Sequence, residues 1–88
     1  MKNPKNILIT GASSGIGEAL SLFYAEAGRT MFLCARNEER LNAVADRCRQ
    51  KGASVYAKVL DVTDEALMRD WIFDSDEIAP LDLVIANA

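Results

Sequence analysis

Between Thr10 and Gly17 the chain reads Thr-Gly-Ala-Ser-Ser-Gly-Ile-Gly, directly behind the apolar stretch Ile7-Leu8-Ile9. A strand that ends in a tight glycine turn and runs at once into a helix aims unpaired backbone N–H groups, and the positive end of the helix dipole, at one point in space. A pyrophosphate suits that point. Each glycine has a separate physical reason to be there: Gly11 for a turn that strains other residues, Gly15 so that backbone can approach a ligand, and Gly17 for close contact between helix and strand. Ser13 and Ser14 add hydroxyls to the same turn, and Ile16 stands at the helix start between the last two glycines. Glycine triplets alone are a weak signal; the strand before and the helix after give this one its meaning.

Other chemistry is sparse. There is no histidine, and Cys34 and Cys48 form neither a Cys-x-x-Cys pair nor a disulfide framework, so no zinc site is expected. Both cysteines read as reduced, small, buried hydrophobes. No Gly-Lys-Ser/Thr follows the glycine turn, which argues against a P-loop.

The elements that must position the turn follow from the apolar pattern. Asn6 to Thr10 is a first strand and Gly15 to Ala27 a first helix, with Ile16, Leu20, Phe23 and Ala27 on one face and Gly28 as its stop. Thr30 to Ala35 is a second strand whose nearly unbroken apolar run implies cover on both faces. Asn37 resembles the N-cap of a second helix that begins with Glu38 and Glu39, buries Leu41, Val44, Ala45 and Cys48, and ends at Lys51-Gly52. Arg40 reads as a solvated or ion-paired residue of that helix. Ser54 to Leu60 is a third strand. Thr63 is expected to cap a third helix from Asp64 to about Phe73, with Leu67, Met68, Trp71 and Ile72 as its apolar side and Asp74 to Glu77 as its close. Trp71 and Met68 are expected in packing rather than against a ligand. Pro80 prevents continuation, and Leu81 to Ala86 makes a fourth strand. Alternating strands and helices joined by short loops imply an α/β fold with a parallel sheet and right-handed crossovers. The expected architecture is a partial Rossmann-type doubly wound sheet of four strands in the order 3-2-1-4, with three helices.

Length and composition set the limits. A chain of 88 residues makes one small domain at most and buries about 60% of the surface its unfolded form exposes. Half of its residues are hydrophobic and 26% are charged, which excludes a disordered or fibrous class. The net charge of −3 and the lack of a basic stripe argue against nucleic acid as a partner. No apolar run approaches the length of about 20 residues that a membrane span needs, and residues 1–6 are too short and polar for a signal peptide. A cytoplasmic location is the expectation.

Four features in order carry a family resemblance: the pattern Thr10-Gly11-x-x-x-Gly15-x-Gly17, the stretch Cys34-Ala35-Arg36-Asn37, the pair Asp61-Val62, and the closing Ala86-Asn87-Ala88. Together they resemble the short-chain dehydrogenase/reductase family. The glycine spacing is similar to its ordinary branch rather than to the extended branch, and the match spans the nucleotide-binding half of that family's domain. The resemblance implies a nicotinamide dinucleotide bound by Gly11, Ser13, Ser14, Gly15, Ile16, Gly17, Arg36, Asn37, Asp61, Val62 and Asn87. Asp61 would accept from the adenine amino group, with the backbone of Val62 along the ring. Asn87 matches the asparagine of an Asn-Ala-Gly turn that steadies the sheet near the cofactor's ribose. A carboxylate for the ribose hydroxyls of NAD belongs at the end of the second strand, where Ala35 is followed instead by Arg36. A guanidinium there binds a 2′-phosphate, so NADP is expected over NAD.

The resemblance also implies hydride transfer between nicotinamide and a carbonyl or alcohol, using a serine and a Tyr-x-x-x-Lys pair. Tyr24 is followed four residues on by Gly28, and Tyr56 by Leu60, so neither forms that pair. The expectation is the cofactor-binding portion, residues 1–88, of an NADP-dependent oxidoreductase, inactive by itself. Its small-molecule substrate would belong to a longer parent. A non-catalytic nucleotide-sensing module is the alternative. A methyltransferase-type binder would want an acidic residue where Ala35-Arg36 stands. An uncovered edge on the fourth strand would favour self-association.

Overall fold

The computed structural model describes residues 3–87. Four strands and three helices alternate: β1 (Asn6–Thr10), α1 (Gly15–Tyr24), β2 (Thr30–Ala35), α2 (Glu38–Gln50), β3 (Ser54–Val59), α3 (Glu65–Ile78) and β4 (Leu83–Ile85). All pairings are parallel, in the order β3-β2-β1-β4, as the alternation of elements requires. Ile7 of β1 stands between Met31 of β2 and Leu83 of β4.

Successive residues of a strand point to opposite faces, and two cores result. On one face Ile7, Ile9, Met31, Leu33 and Val55 pack with Leu41, Val44, Ala45 and Cys48 of α2 and with the inner side of α1. On the other, Leu8, Phe32 and Cys34 pack with Leu60 and Trp71 of α3. The β2 run is buried on both faces, as its composition implied. Trp71 packs edge-on to Phe32 with ring centroids 6.0 Å apart, and Met68 is half-buried beside it. Both cysteines are buried free thiols. Burial pushes the Cys34 thiol up to about 11, partly offset by the Gly11 backbone and Trp71, and it raises Cys48 as well. No helix among the described residues is long and apolar enough to cross a membrane.

Several boundaries differ from the sequence expectation. Helix α1 stops at Tyr24 rather than Ala27, because Ala25 is extended and the Arg29 guanidinium takes the Tyr24 carbonyl. The buried side of α1 is Gly17 and Ser21, with Leu20 half-buried, whereas Ile16 and Phe23 are 70% and 77% exposed. The glycine contact fixes the rotation of the helix: Gly17 must face β1, and Ser21, one turn on, lies under Cys48, whose thiol donates to the Ser21 carbonyl at 3.5 Å.

Helix α3 runs through Asp74 to Glu77 to Ile78, since Ser75 is fully buried one turn after Trp71. Leu67 and Ile72, expected inside, are exposed. The cap of α3 is Asp64, accepting from Leu67 N–H at 3.1 Å, and not Thr63. Strand β3 ends at Val59, one residue short of Leu60. Strand β4 shortens to Leu83–Ile85, because Asp82 leaves the strand to accept the Lys5 and Asn6 N–H groups at 2.8 and 2.9 Å. At the outer edge of β3, Arg49 donates to the Val55 carbonyl at 2.8 Å.

Candidate dinucleotide site

The carboxyl ends of all four strands meet on one side of the sheet. Beside β1 the chain turns to β2 on one hand and to β4 on the other, the switch point at which open α/β sheets form a ligand crevice. A cleft of about 450 Å³ lies there, lined by Gly11, Ser13, Ser14, Ala35, Arg36, Asn37, Asp61, Val62, Thr63 and Asn87. That volume lies within the range of roughly 300–1,000 Å³ usual for small-molecule sites.

The glycine turn is built by close approach. Gly11 has φ of +62°, and a Cβ on it would lie 2.6 Å from the Asn87 carbonyl oxygen. A Cβ on Gly17 would lie 1.9 Å from the Gly11 oxygen. Only glycine lets the first turn of α1 rest directly on the end of β1. Gly15 differs: its φ is +27° and a Cβ there would meet nothing within 4 Å, so this backbone faces open space.

Ser14 is the N-cap of α1 but does not cap it with its side chain. Its hydroxyl turns back to Gly11 O at 3.1 Å. The N–H groups of Gly15, Ile16 and Gly17, which have no partner inside a helix, are thereby left to a ligand. Uncapped donors, an open glycine backbone and the dipole's positive end fit the phosphates of a dinucleotide.

Asn87 ties β4 to this turn. Its N–H donates to Thr10 Oγ1 at 2.9 Å, the Thr10 hydroxyl donates to the Asn87 carbonyl at 3.3 Å, and Asn87 Nδ2 donates to Gly11 O at 3.3 Å. Across the cleft, the Thr63 hydroxyl and N–H donate to Asp61 Oδ1 at 2.7 and 2.9 Å. These bonds hold the Asp61 carboxyl below its ordinary range, and the Arg36 guanidinium acts in the same direction. Arg36 is exposed at the cleft wall, with no ion-pair partner among the described residues. Asn37 lines the wall while its Oδ1 caps α2, accepting from Arg40 N–H at 2.9 Å.

Of the residues singled out in the sequence, Gly11, Ser13, Ser14, Arg36, Asn37, Asp61, Val62 and Asn87 line one cleft. Gly15 and Ile16 sit at its helical end, and Gly17 lies behind Gly11 as a packing residue. The sequence reading did not assign Thr63 to the wall or Thr10 to the hold on Asn87. The Asp-x-Thr spacing of Asp61 and Thr63 carried a signal, because a carboxylate readily accepts from the backbone two residues on. Thr10 carried none, its partner being 77 residues away.

A partial doubly wound sheet with a glycine turn at its switch point is the architecture of the Rossmann class. The family model for short chain dehydrogenases matches residues 5–88, and the chain belongs to that family. It is similar to the 11-beta-hydroxysteroid dehydrogenase-like 4A of Arabidopsis thaliana, 53% identical over 57 residues, which are 65% of this chain and 19% of the relative. Among solved structures it resembles a short-chain dehydrogenase/reductase from Mycobacterium marinum at a TM-score of 0.84 and 36% identity, covering 96% of this chain and 34% of that one. An NAD+-bound xylitol dehydrogenase matches at 0.78 and 32%, covering 89% and 30%. The chain thus spans about a third or less of these relatives' length. Members of the family are oxidoreductases that use a nicotinamide dinucleotide and small-molecule substrates.

Proposed function

We propose that residues 1–88 are the cofactor-binding part of an NADP-dependent short-chain oxidoreductase, cytoplasmic in location and inactive in hydride transfer by itself. The observation that carries the NADP preference is Arg36 at the cleft wall, next to Ala35 where a carboxylate would favour NAD. In this reading the N–H groups at the start of α1 hold the pyrophosphate, Ser13, Ser14 and Asn37 assist, and Arg36 meets the 2′-phosphate. Asp61 and Val62 receive the adenine, and Asn87 holds the end of β4 against the glycine turn. The bound dinucleotide supplies the hydride; these residues orient it. A serine and a Tyr-x-x-x-Lys pair in a longer polypeptide would move the proton. The partners are therefore the dinucleotide, a small molecule in such a polypeptide, and further copies of this chain.

The support for NADP is energetic as well as geometric. A charge-assisted hydrogen bond contributes roughly 1.5–3 kcal/mol, or about a ten- to hundredfold preference for NADP. Calorimetric titration of the 88-residue chain with NADP and NAD tests this. Tighter binding of NADP, with the preference lost in Arg36→Ala and NAD affinity unchanged, supports the assignment. Equal affinities, or a variant that keeps the preference, overturn it.

A further inference from the structure

The loop from β3 to α3 holds one carboxylate by two bonds on the same oxygen. The Thr63 hydroxyl donates to Asp61 Oδ1 at 2.7 Å, and the Thr63 N–H donates to that atom at 2.9 Å. Among the described residues, Asp61 Oδ2 accepts no hydrogen bond, and the Arg36 guanidinium on the same cleft wall forms no ion pair with it. The backbone beneath is fixed as well. Leu60 is buried with its N–H on Ala35 O at 3.0 Å, and the Asp61 carbonyl accepts from Asp64 N–H at 3.0 Å. Asp61 is half-buried, Val62 and Thr63 are exposed, and all three line the cleft.

An aspartate carboxyl on a loop turns broadly about its last torsion, and its two oxygens are ordinarily interchangeable. Here they differ. Threonine is stiff about χ1, so the hydroxyl that takes Oδ1 stays in place and Oδ2 is the acceptor left for a ligand. An ionised carboxylate only accepts, so its complement is a donor such as the exocyclic amino group of adenine. Hypoxanthine, with a carbonyl in place of that amino group, would meet Oδ2 oxygen to oxygen.

We propose that Thr63 is a positioning residue for base recognition: by holding Asp61 Oδ1 it presents Oδ2 to the amino group of adenine and sets a preference for adenine over hypoxanthine. This role rests on the reading of Asp61 as the adenine contact. Thr63 acts through Asp61 alone, removing in advance the side-chain freedom that binding would otherwise have to freeze.

Calorimetric titration of the 88-residue chain with NADP and with nicotinamide hypoxanthine dinucleotide phosphate tests it. The parent chain should bind NADP about tenfold more tightly than the hypoxanthine analogue. Thr63→Val keeps the backbone bond and loses the hydroxyl; it should lower NADP affinity about three- to tenfold, leave that of the analogue nearly unchanged, and be rescued by Thr63→Ser. Asp61→Asn should reverse the base preference, because both Thr63 donors select the amide oxygen and leave Nδ2 to donate to the hypoxanthine carbonyl. Adding Thr63→Val should weaken that reversal. Circular dichroism checks that each variant is folded. Equal losses for both nucleotides in Thr63→Val, or no loss, overturn the role of Thr63, as does an Asp61→Asn chain that still prefers adenine. Failure of the adenine contact itself reads differently: Asp61→Ala then keeps the relative affinities of the parent chain. A folded chain that binds neither nucleotide overturns the cleft reading and the role of Thr63 together.

Discussion

Two glycines two residues apart answer to different demands. A methyl group on Gly17 would meet Gly11 O at 1.9 Å and Asn87 Nδ2 at 2.8 Å, whereas one on Gly15 would stand in open space. Gly17→Ala should therefore cost about 1–3 kcal/mol of stability, because backbone on both sides must give way. Gly15→Ala should lose proportionally more nucleotide affinity than stability, since its methyl group fills the space a phosphate would approach. Urea unfolding and calorimetry on the two variants give the two numbers for each. The glycine positions were legible because turns and close approaches demand a specific residue type. The bond between Thr10 and Asn87 was not, since neither residue's neighbours reveal a partner at the far end of the chain.

Element ends are decided by which polar side chain wins the first free N–H groups. At the start of α3, Thr63 is occupied with Asp61, and Asp64 accepts from Leu67 N–H. Asp64→Ala should cost about 1 kcal/mol in helix and protein stability. Thr63→Ala should cost less and instead raise the Asp61 carboxyl toward its ordinary range, a change readable by NMR titration of that carboxyl. The sequence placed every strand and helix because their apolar periods differ. It misplaced the ends of α1, α3 and β4, where Arg29 takes the Tyr24 carbonyl, Ser75 is buried and Asp82 reaches the Lys5 and Asn6 N–H groups, and it turned the apolar face of α1 by missing that Gly17 sets the helix's rotation.

At the scale of the molecule, the order β3-β2-β1-β4, expected from right-handed crossovers and the Rossmann pattern, brings the loops to one crevice. Beside the β1–β4 ladder, the Asp82 carboxylate ties the start of the first strand to the entry of the last. The Asn6 and Lys5 N–H groups that Asp82 accepts hold its carboxyl below the ordinary range. A group whose folded pKa is depressed stabilises fully above its unfolded value, about 3.9, and the contribution is lost as pH falls through the folded value. Unfolding midpoints should therefore drop on acidification below about pH 4, and Asp82→Asn should flatten that drop. Asp61, shifted the same way, leaves a residual slope. A variant as acid-sensitive as the parent chain would show that the Asp82 carboxylate does not set this response.

The guanidinium that Arg49 lays on the Val55 carbonyl guards the outer edge of β3. A sheet with two receptive edges can add copies without limit, and its product is a fibre. The guanidinium drawn from the neighbouring helix occupies one acceptor of the β3 edge, so a strand approaching there must first displace a cation.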